Sequence, residues 1–226
     1  PLESPSQGAG PANNGVLRSP ERGSQGPFEA VANSVVPLTV LDTLETPNGW
    51  IAGVAGDSAT TGAWRWGRPV GSSAAPTSDV SQQGGTCFVT GLNRPGAPIG
   101  DNDVDDGRTT LISRAFDVTF SPDPGLAYWR WYSNADNSQP DDRFTVEVSG
   151  DGGQTWVLVE EVGPGPALGG WQRNEFRVHD FVPGANSIRL RFIVEDFGNP
   201  SIVEAAVDDI EAVSLCSGAP GPGFRR

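Results

Sequence analysis

Lysine and methionine are absent from this 226-residue sequence, histidine occurs once and cysteine twice. The single histidine, His179, excludes a histidine-rich zinc site and leaves one imidazole for any catalytic triad. No run of 18 apolar residues occurs, so no segment is expected to insert in a membrane. Positive charge is scarce: 15 basic residues, all arginine, stand against 28 acidic ones, a net charge of −13. That balance excludes the clustered positive face needed to hold a nucleic-acid backbone. Signatures of a nucleophile elbow, a zinc protease helix, a P-loop or a dinucleotide fold are also missing. With no initiator methionine, Pro1 reads as a processing boundary.

Glycine (30) and proline (20) are abundant instead. In helix interiors they cost about 1 and 3 kcal/mol each relative to alanine, which argues against long helices. The apolar period is two. Phe144, Val146 and Val148 alternate with Thr145 and Glu147; Ile188, Leu190, Phe192 and Val194 alternate with Arg189 and Arg191. Further strands are expected at 35–41, 63–66, 86–90, 110–116, 126–133, 155–162, 171–178 and 202–215, separated by Gly, Pro, Asn and Asp turns. This pattern predicts an all-β fold, an antiparallel two-sheet β-sandwich of jelly-roll type with an extended N-terminal arm. Residues 1–34 read as a Pro/Gly/Ser-rich arm or linker, 35–217 as the sandwich and 218–226 as a tail. The stretch 67–85 reads as a surface loop of the kind that carries function.

Cys87 and Cys216 are an even pair in an acidic, strand-rich chain, and a disulfide is expected in preference to two buried thiols. It would close a loop of about 130 residues, worth about 4–5 kcal/mol on the chain-entropy model. Such a bond would imply secretion. The most pointed chemistry lies in the loop at 100–107. Asp101, Asn102, Asp103 and Asp105, with Asp106, supply hard oxygen donors on a turning backbone, the ligand type that Ca²⁺ takes. The loop is not an EF-hand, because the glutamate required at position 12 is replaced by Ile112. Asp208 and Asp209 complete a structural calcium site if the last strand lies alongside.

Ser149-Gly150-Asp151-Gly152-Gly153-Gln154-Thr155-Trp156 matches the Asp-box pattern once, and reads as a structural hairpin. Trp64-Arg65-Trp66 and Tyr128-Trp129-Arg130-Trp131-Tyr132 alternate aromatic and basic residues along strands. Trp64, Trp66, Tyr128, Arg130 and Tyr132 are candidate sugar contacts, since aromatic faces beside a guanidinium stack on and hydrogen-bond to sugar rings. The competing reading makes the Trp129–Trp131 face the core. Acidic residues near the end, among them Glu195, Asp196, Glu204 and Glu211, lack the spacing of a glycosidase strand, so no catalytic residue is assigned.

The order of these motifs, from Gly49-Trp50 through Asp57–Trp64, Cys87–Gly91, Asn102–Asp105 and Tyr128–Asn134 to Val203–Asp209, resembles the MAM-like, carbohydrate-binding-like jelly-roll modules of secreted bacterial proteins. The resemblance spans roughly residues 38–216. It implies a structural calcium ion between Asp101, Asp103 and Asp105 and the last-strand Asp208 or Asp209. It also implies a non-catalytic, secreted or cell-surface binding or adhesion module whose partner is a glycan or other cell-surface polymer. The alternative is a structural subunit of an extracellular filament or surface layer, in which the arm adds a strand to a further copy of the chain.

Overall fold

In the computed structural model, residues 39–81, 84–135, 141–199 and 201–214 are described. They form thirteen strands and one helical turn: β1 (Thr39–Asp42), β2 (Ile51–Ala52), β3 (Trp64–Gly67), β4 (Cys87–Thr90), β5 (Gly107–Ile112), β6 (Phe116–Asp117), β7 (Pro124–Ala135), β8 (Phe144–Ser149), β9 (Val157–Val162), β10 (Ala167–Leu168), β11 (Gln172–Arg177), α1 (Val178–Phe181), β12 (Ser187–Asp196) and β13 (Ile202–Ser214). The period-two pattern did not anticipate the single turn of helix, which holds His179, or the two-residue strands β2 and β10.

All strand pairs are antiparallel, and they make two sheets. One runs β10-β7-β13-β4-β3, with β11 also on β7 and β1 also on β13; the other runs β2-β5-β12-β8-β9, with β6 on β12. From β4 onward the chain steps repeatedly between the sheets, and the fold is the β-sandwich expected. Alternation decides what lies between them. Phe144, Val146 and Val148 of β8 and Ile188, Leu190, Phe192 and Val194 of β12 are buried against Tyr128, Tyr132, Val203, Ala205 and Val207 of the facing sheet. Phe192 centres an aromatic group, its ring 5.5 Å from Tyr128, 6.2 Å from Trp50 and 6.3 Å from Phe144.

β7 and β13 are buried on both faces. Their outer face carries Trp131 and Ala206, which cluster with Cys87 and Val89 of β4, and is covered by Trp171 and by part of the 67–85 stretch. Trp131 Nε1 donates to Ala74 O at 2.6 Å and Trp171 Nε1 to Ser78 O at 2.9 Å, and Ala74 and Ala75 are themselves buried. The expected free surface loop is therefore a cover packed on the sheet, because the indoles of β7 and of Trp171, just before β11, need hydrogen-bond acceptors and an apolar roof.

The strand expected at 35–41 is found as β1, paired with β13 of its own sheet. The arm 1–34, Cys216 and the tail 218–226 lie outside the described residues. Cys87 is buried and free, and burial raises its thiol pKa, with the charge of Asp208 adding to the effect.

Candidate functional site

Of the five aromatic and basic residues read as sugar contacts, four are core. Trp64 is buried, with its indole Nε1 donating to Thr109 O at 3.3 Å. Tyr128 and Tyr132 are buried between the sheets. Arg130 is only 7 % exposed and points inward, pairing with Glu160 of β9 in the opposite sheet. Its Nε lies 3.0 Å from both carboxylate oxygens, and Tyr128 Oη donates to the same carboxylate at 2.7 Å. Burial raises the Glu160 pKa, but the Arg130 hydrogen bonds and charge outweigh it and hold the carboxyl below its usual range. The face carrying Tyr128, Arg130 and Tyr132 is thus the inter-sheet face. The face with Trp129 and Trp131 is the outer one, the reverse of the two assignments considered from alternation alone.

Trp66 alone keeps the predicted exposure, at 36 %. Its Nε1 donates to Leu44 O at 2.7 Å, which fixes the ring at the free edge of β3. It lines an open cleft of about 530 Å³ with Arg65, Thr60, Thr61, Leu92 and Asn102. That volume lies within the roughly 300–1,000 Å³ of small-ligand sites. Arg65 is exposed and its guanidinium pairs with no carboxylate among the described residues. Asn102 Nδ2 donates to Asn93 Oδ1 at 2.9 Å, which presents an amide at the rim. Two glycines make this wall possible. Gly62 (φ +69°) would place a Cβ 2.5 Å from the Val104 backbone, and Gly91 (φ +52°) one 1.8 Å from Asn102 O. Among the described residues, the lining holds no carboxylate, histidine or cysteine.

The six residues read as a calcium site fall into two groups. Asp103 and Asp105 flank Val104, which bridges to Val203. Thr61 Oγ1 lies 2.7 Å from both Asp103 O and Asp105 Oδ2, which share its one proton. Asp103 is buried, and burial followed by the charge of Asp105 pushes its pKa up to about 7. Asp101 is half-buried and Asn102 exposed on the turn beside it. Asp208 lies five residues beyond Val203, about 16 Å along the strand, so the last-strand pair does not close on this loop.

A bulge between Asp208 and Ile210 explains where the pair goes instead. It leaves Asp209 at φ +35° and turns both carboxylates to the 79–81 segment, where Val80 N donates to Asp208 Oδ2 (2.9 Å) and Ser81 Oγ to Asp209 Oδ1 (2.7 Å). Asp79 and Glu45 join them. Burial and then the Glu45 charge raise the Asp79 pKa, and burial pushes Asp208 up to about 8 against the Val80 hydrogen bond, with Asp209 adding. Asp208 Oδ1 and Asp79 Oδ2 are buried without a partner. Hard oxygens from three segments, two of them unsatisfied, fit a calcium-type cation in kind. Among the described residues no three acidic, histidine or cysteine side chains stand close enough to grip an ion as they are. Glu45 and Asp79, on loops far from Asp208 in sequence, carried no motif that sequence reading could use.

The Asp-box stretch is the β8–β9 hairpin. Asp151 Oδ1 accepts from Gln154 N (3.0 Å) and Thr155 N (2.9 Å), its Oδ2 accepts from Thr155 Oγ1 (2.6 Å), and Arg191 lies 4.4 Å over the Trp156 ring.

No protein-family model matches the chain, and no curated protein does. Among solved structures it is similar to the K1 cleaved adhesin domain of Lys-gingipain from Porphyromonas gingivalis, at 17 % identity over 79 % of this chain and 99 % of that one, with a TM-score of 0.47. It is similar to the family 11 carbohydrate-binding module of a Clostridium thermocellum cellulosomal cellulase, at 13 % identity over 80 % and 97 % of the two chains, with a TM-score of 0.42. A cyclase from Fischerella sp. TAU is similar at 16 % identity over 77 % and 87 %, with a TM-score of 0.41. At scores below 0.5 these likenesses say nothing of this chain's ligand.

Proposed function

We propose that this chain is a non-catalytic, extracellular β-sandwich module that binds a glycan or similar cell-surface polymer in the cleft at the β3 edge. The observation that carries this reading is the composition of the cleft wall: a fixed, partly exposed indole, an unpaired guanidinium and an amide, with no acid, base or thiol among the lining residues. A sugar ring needs an aromatic face to stack on and planar donors for its hydroxyls, and this wall supplies both. The binding surface expected at Tyr128, Arg130 and Tyr132 gives way to Trp66 and Arg65.

Calcium belongs to this proposal as a structural ion. Glu45, Asp79, Asp208 and Asp209 are the residues that would hold it, and it would supply positive charge that ties the 43–45 and 79–81 segments to β13. The filament reading rests on the arm 1–34, outside the described residues, and nothing among the described residues favours it.

A panel of soluble neutral and acidic polysaccharides in affinity electrophoresis tests the cleft. Retardation of the wild-type chain by at least one polymer, lost in Trp66→Ala and weakened in Arg65→Ala, is the expected result. Equal retardation of all three proteins would refute the site.

A further inference from the structure

Two aspartates face each other inside the sandwich at the end where β12 finishes and β8 begins. Val194 pairs with Phe144, and Glu195 N donates to Arg143 O at 3.0 Å, so the ladder sets Asp196 directly opposite Asp142. Both follow the parity of core residues, since Val194 and Phe144 are buried between the sheets. Asp142 is 2 % exposed and Asp196 4 %. Like charges directly opposite on adjacent strands repel, and here water is excluded as well. The nearest basic side chain in sequence, Arg143, points to the other face and pairs with Glu161 at 3.3 Å.

The facing sheet adds groups that are equally incomplete. Asn134, at the end of β7, is 1 % exposed, and its Oδ1 has no hydrogen-bond partner. Its pairing with core Val203 places its side chain on the inner face. Tyr132 Oη is buried beside it, within reach of the Asn134 amide as donor, and the Asp196 carboxylate, which takes a backbone hydrogen bond from Ser201, keeps Oδ2 buried and unpartnered. Asp142 is engaged only by donors, Phe197 N at 2.9 Å and Ser201 Oγ at 2.8 Å. Buried polar atoms are almost always satisfied, by protein, water or ion. Asn134 Oδ1 and Asp196 Oδ2 are thus buried oxygens left unsatisfied beside two facing carboxylates.

We propose that Asp142, Asp196 and the Asn134 amide oxygen bind a calcium-type divalent cation that joins the two sheets at this end of the sandwich. Two carboxylates and an amide carbonyl are hard oxygen donors of the kind such an ion takes, with water filling the remaining positions. The ion removes the Asp142–Asp196 repulsion and satisfies Asn134 Oδ1, and the hydroxyl of Tyr132 is free to donate to a carboxylate. The site is separate from the Asp208 group, which lies on the outer face of the other sheet and further along β13.

Native mass spectrometry and thermal unfolding of the full chain test it, in chelator and in about 1 mM CaCl₂, the range of extracellular calcium modules. The wild-type chain should carry an ion that Asp196→Asn loses and Asp208→Asn keeps. Without calcium, Asp196→Asn should melt at or above the wild-type temperature, because a like charge is gone; with calcium it should melt below it. Asn134→Asp should reverse both signs, with weaker stability in chelator and at least tenfold tighter calcium binding. An unchanged ion count in Asp196→Asn, or a calcium-induced rise in melting temperature equal to wild type in both variants, overturns the proposal. Failure of glycan binding at the cleft leaves these readouts unaffected.

Discussion

Replacing Arg130 by alanine should cost stability rather than a ligand contact. The guanidinium and the Glu160 carboxylate are side chains of 9 % and 15 % exposure, joined across the two sheets through Nε and a terminal nitrogen. Without Arg130, Glu160 keeps only neutral donors, the Tyr128 hydroxyl at 2.7 Å and the Asn174 amide, which also contacts Tyr128 Oη at 3.1 Å. Breaking a buried pair by removing one partner costs about 3–5 kcal/mol, because a desolvated charge is left behind. At about 2 kcal/mol per molar urea, the unfolding midpoint should fall by about 1.5–2.5 M. The double variant Arg130→Met, Glu160→Leu should recover most of that loss, since apolar side chains of similar volume replace such pairs at little cost. Urea titrations of the three proteins, followed by tryptophan fluorescence, make the comparison. A midpoint for Arg130→Ala within 0.3 M of wild type (about 0.6 kcal/mol), together with loss of polysaccharide binding, would refute this account and restore Arg130 as a contact.

Other perturbations follow from the same structure. In chelator, Asp103 and Asp196 (each pushed up to about 7) and Glu204 and Asp208 (each to about 8) bind more protons folded than unfolded, so stability should fall as pH rises from about 4 to 8. Melting temperatures between pH 5 and 8 check the sign, and a rise across that window would contradict it. Calcium should flatten or reverse the slope, because the cation requires the deprotonated carboxylates. Gly62→Ala should destabilise by about 2 kcal/mol or more, from the left-handed backbone and the 2.5 Å approach to Val104, as read by urea midpoint. A neutral Gly62→Ala would mean that the Thr61–Asp105 bridge beside the cleft wall is not held as described.

The strands were legible because one-sided burial writes itself as alternation: Phe144-Thr145-Val146-Glu147-Val148 predicts both a strand and its inner face. β7 defeated the same logic. It is a central strand roofed by the 74–78 segment, so tryptophans occupy its outer face and a charged residue its inner one. The missing signal for Arg130 lay in Glu160, an acidic residue at an inward position of a strand, which needs a buried partner. Trp66 was found, but the features that make it a site, Gly62 and Gly91 at positive φ and Asn102 across the cleft, are long-range consequences of loop packing. The acidic loop at 100–107 stood out by composition, but composition does not encode the bulge that carries Asp208 and Asp209 to the 79–81 segment. The Asp142–Asp196 pair required strand register, since 54 residues separate its members.

Chemical-shift mapping on the isotope-labelled chain, with a polysaccharide fragment that retards it in gels, tests the central claim most directly. Shifts concentrated at the Trp66 indole and the backbone of 60–66, 91–93 and 102 are the predicted result. Shifts confined to the 71–81 cover and Trp171, or spread over the core aromatics, would contradict a binding cleft at the β3 edge.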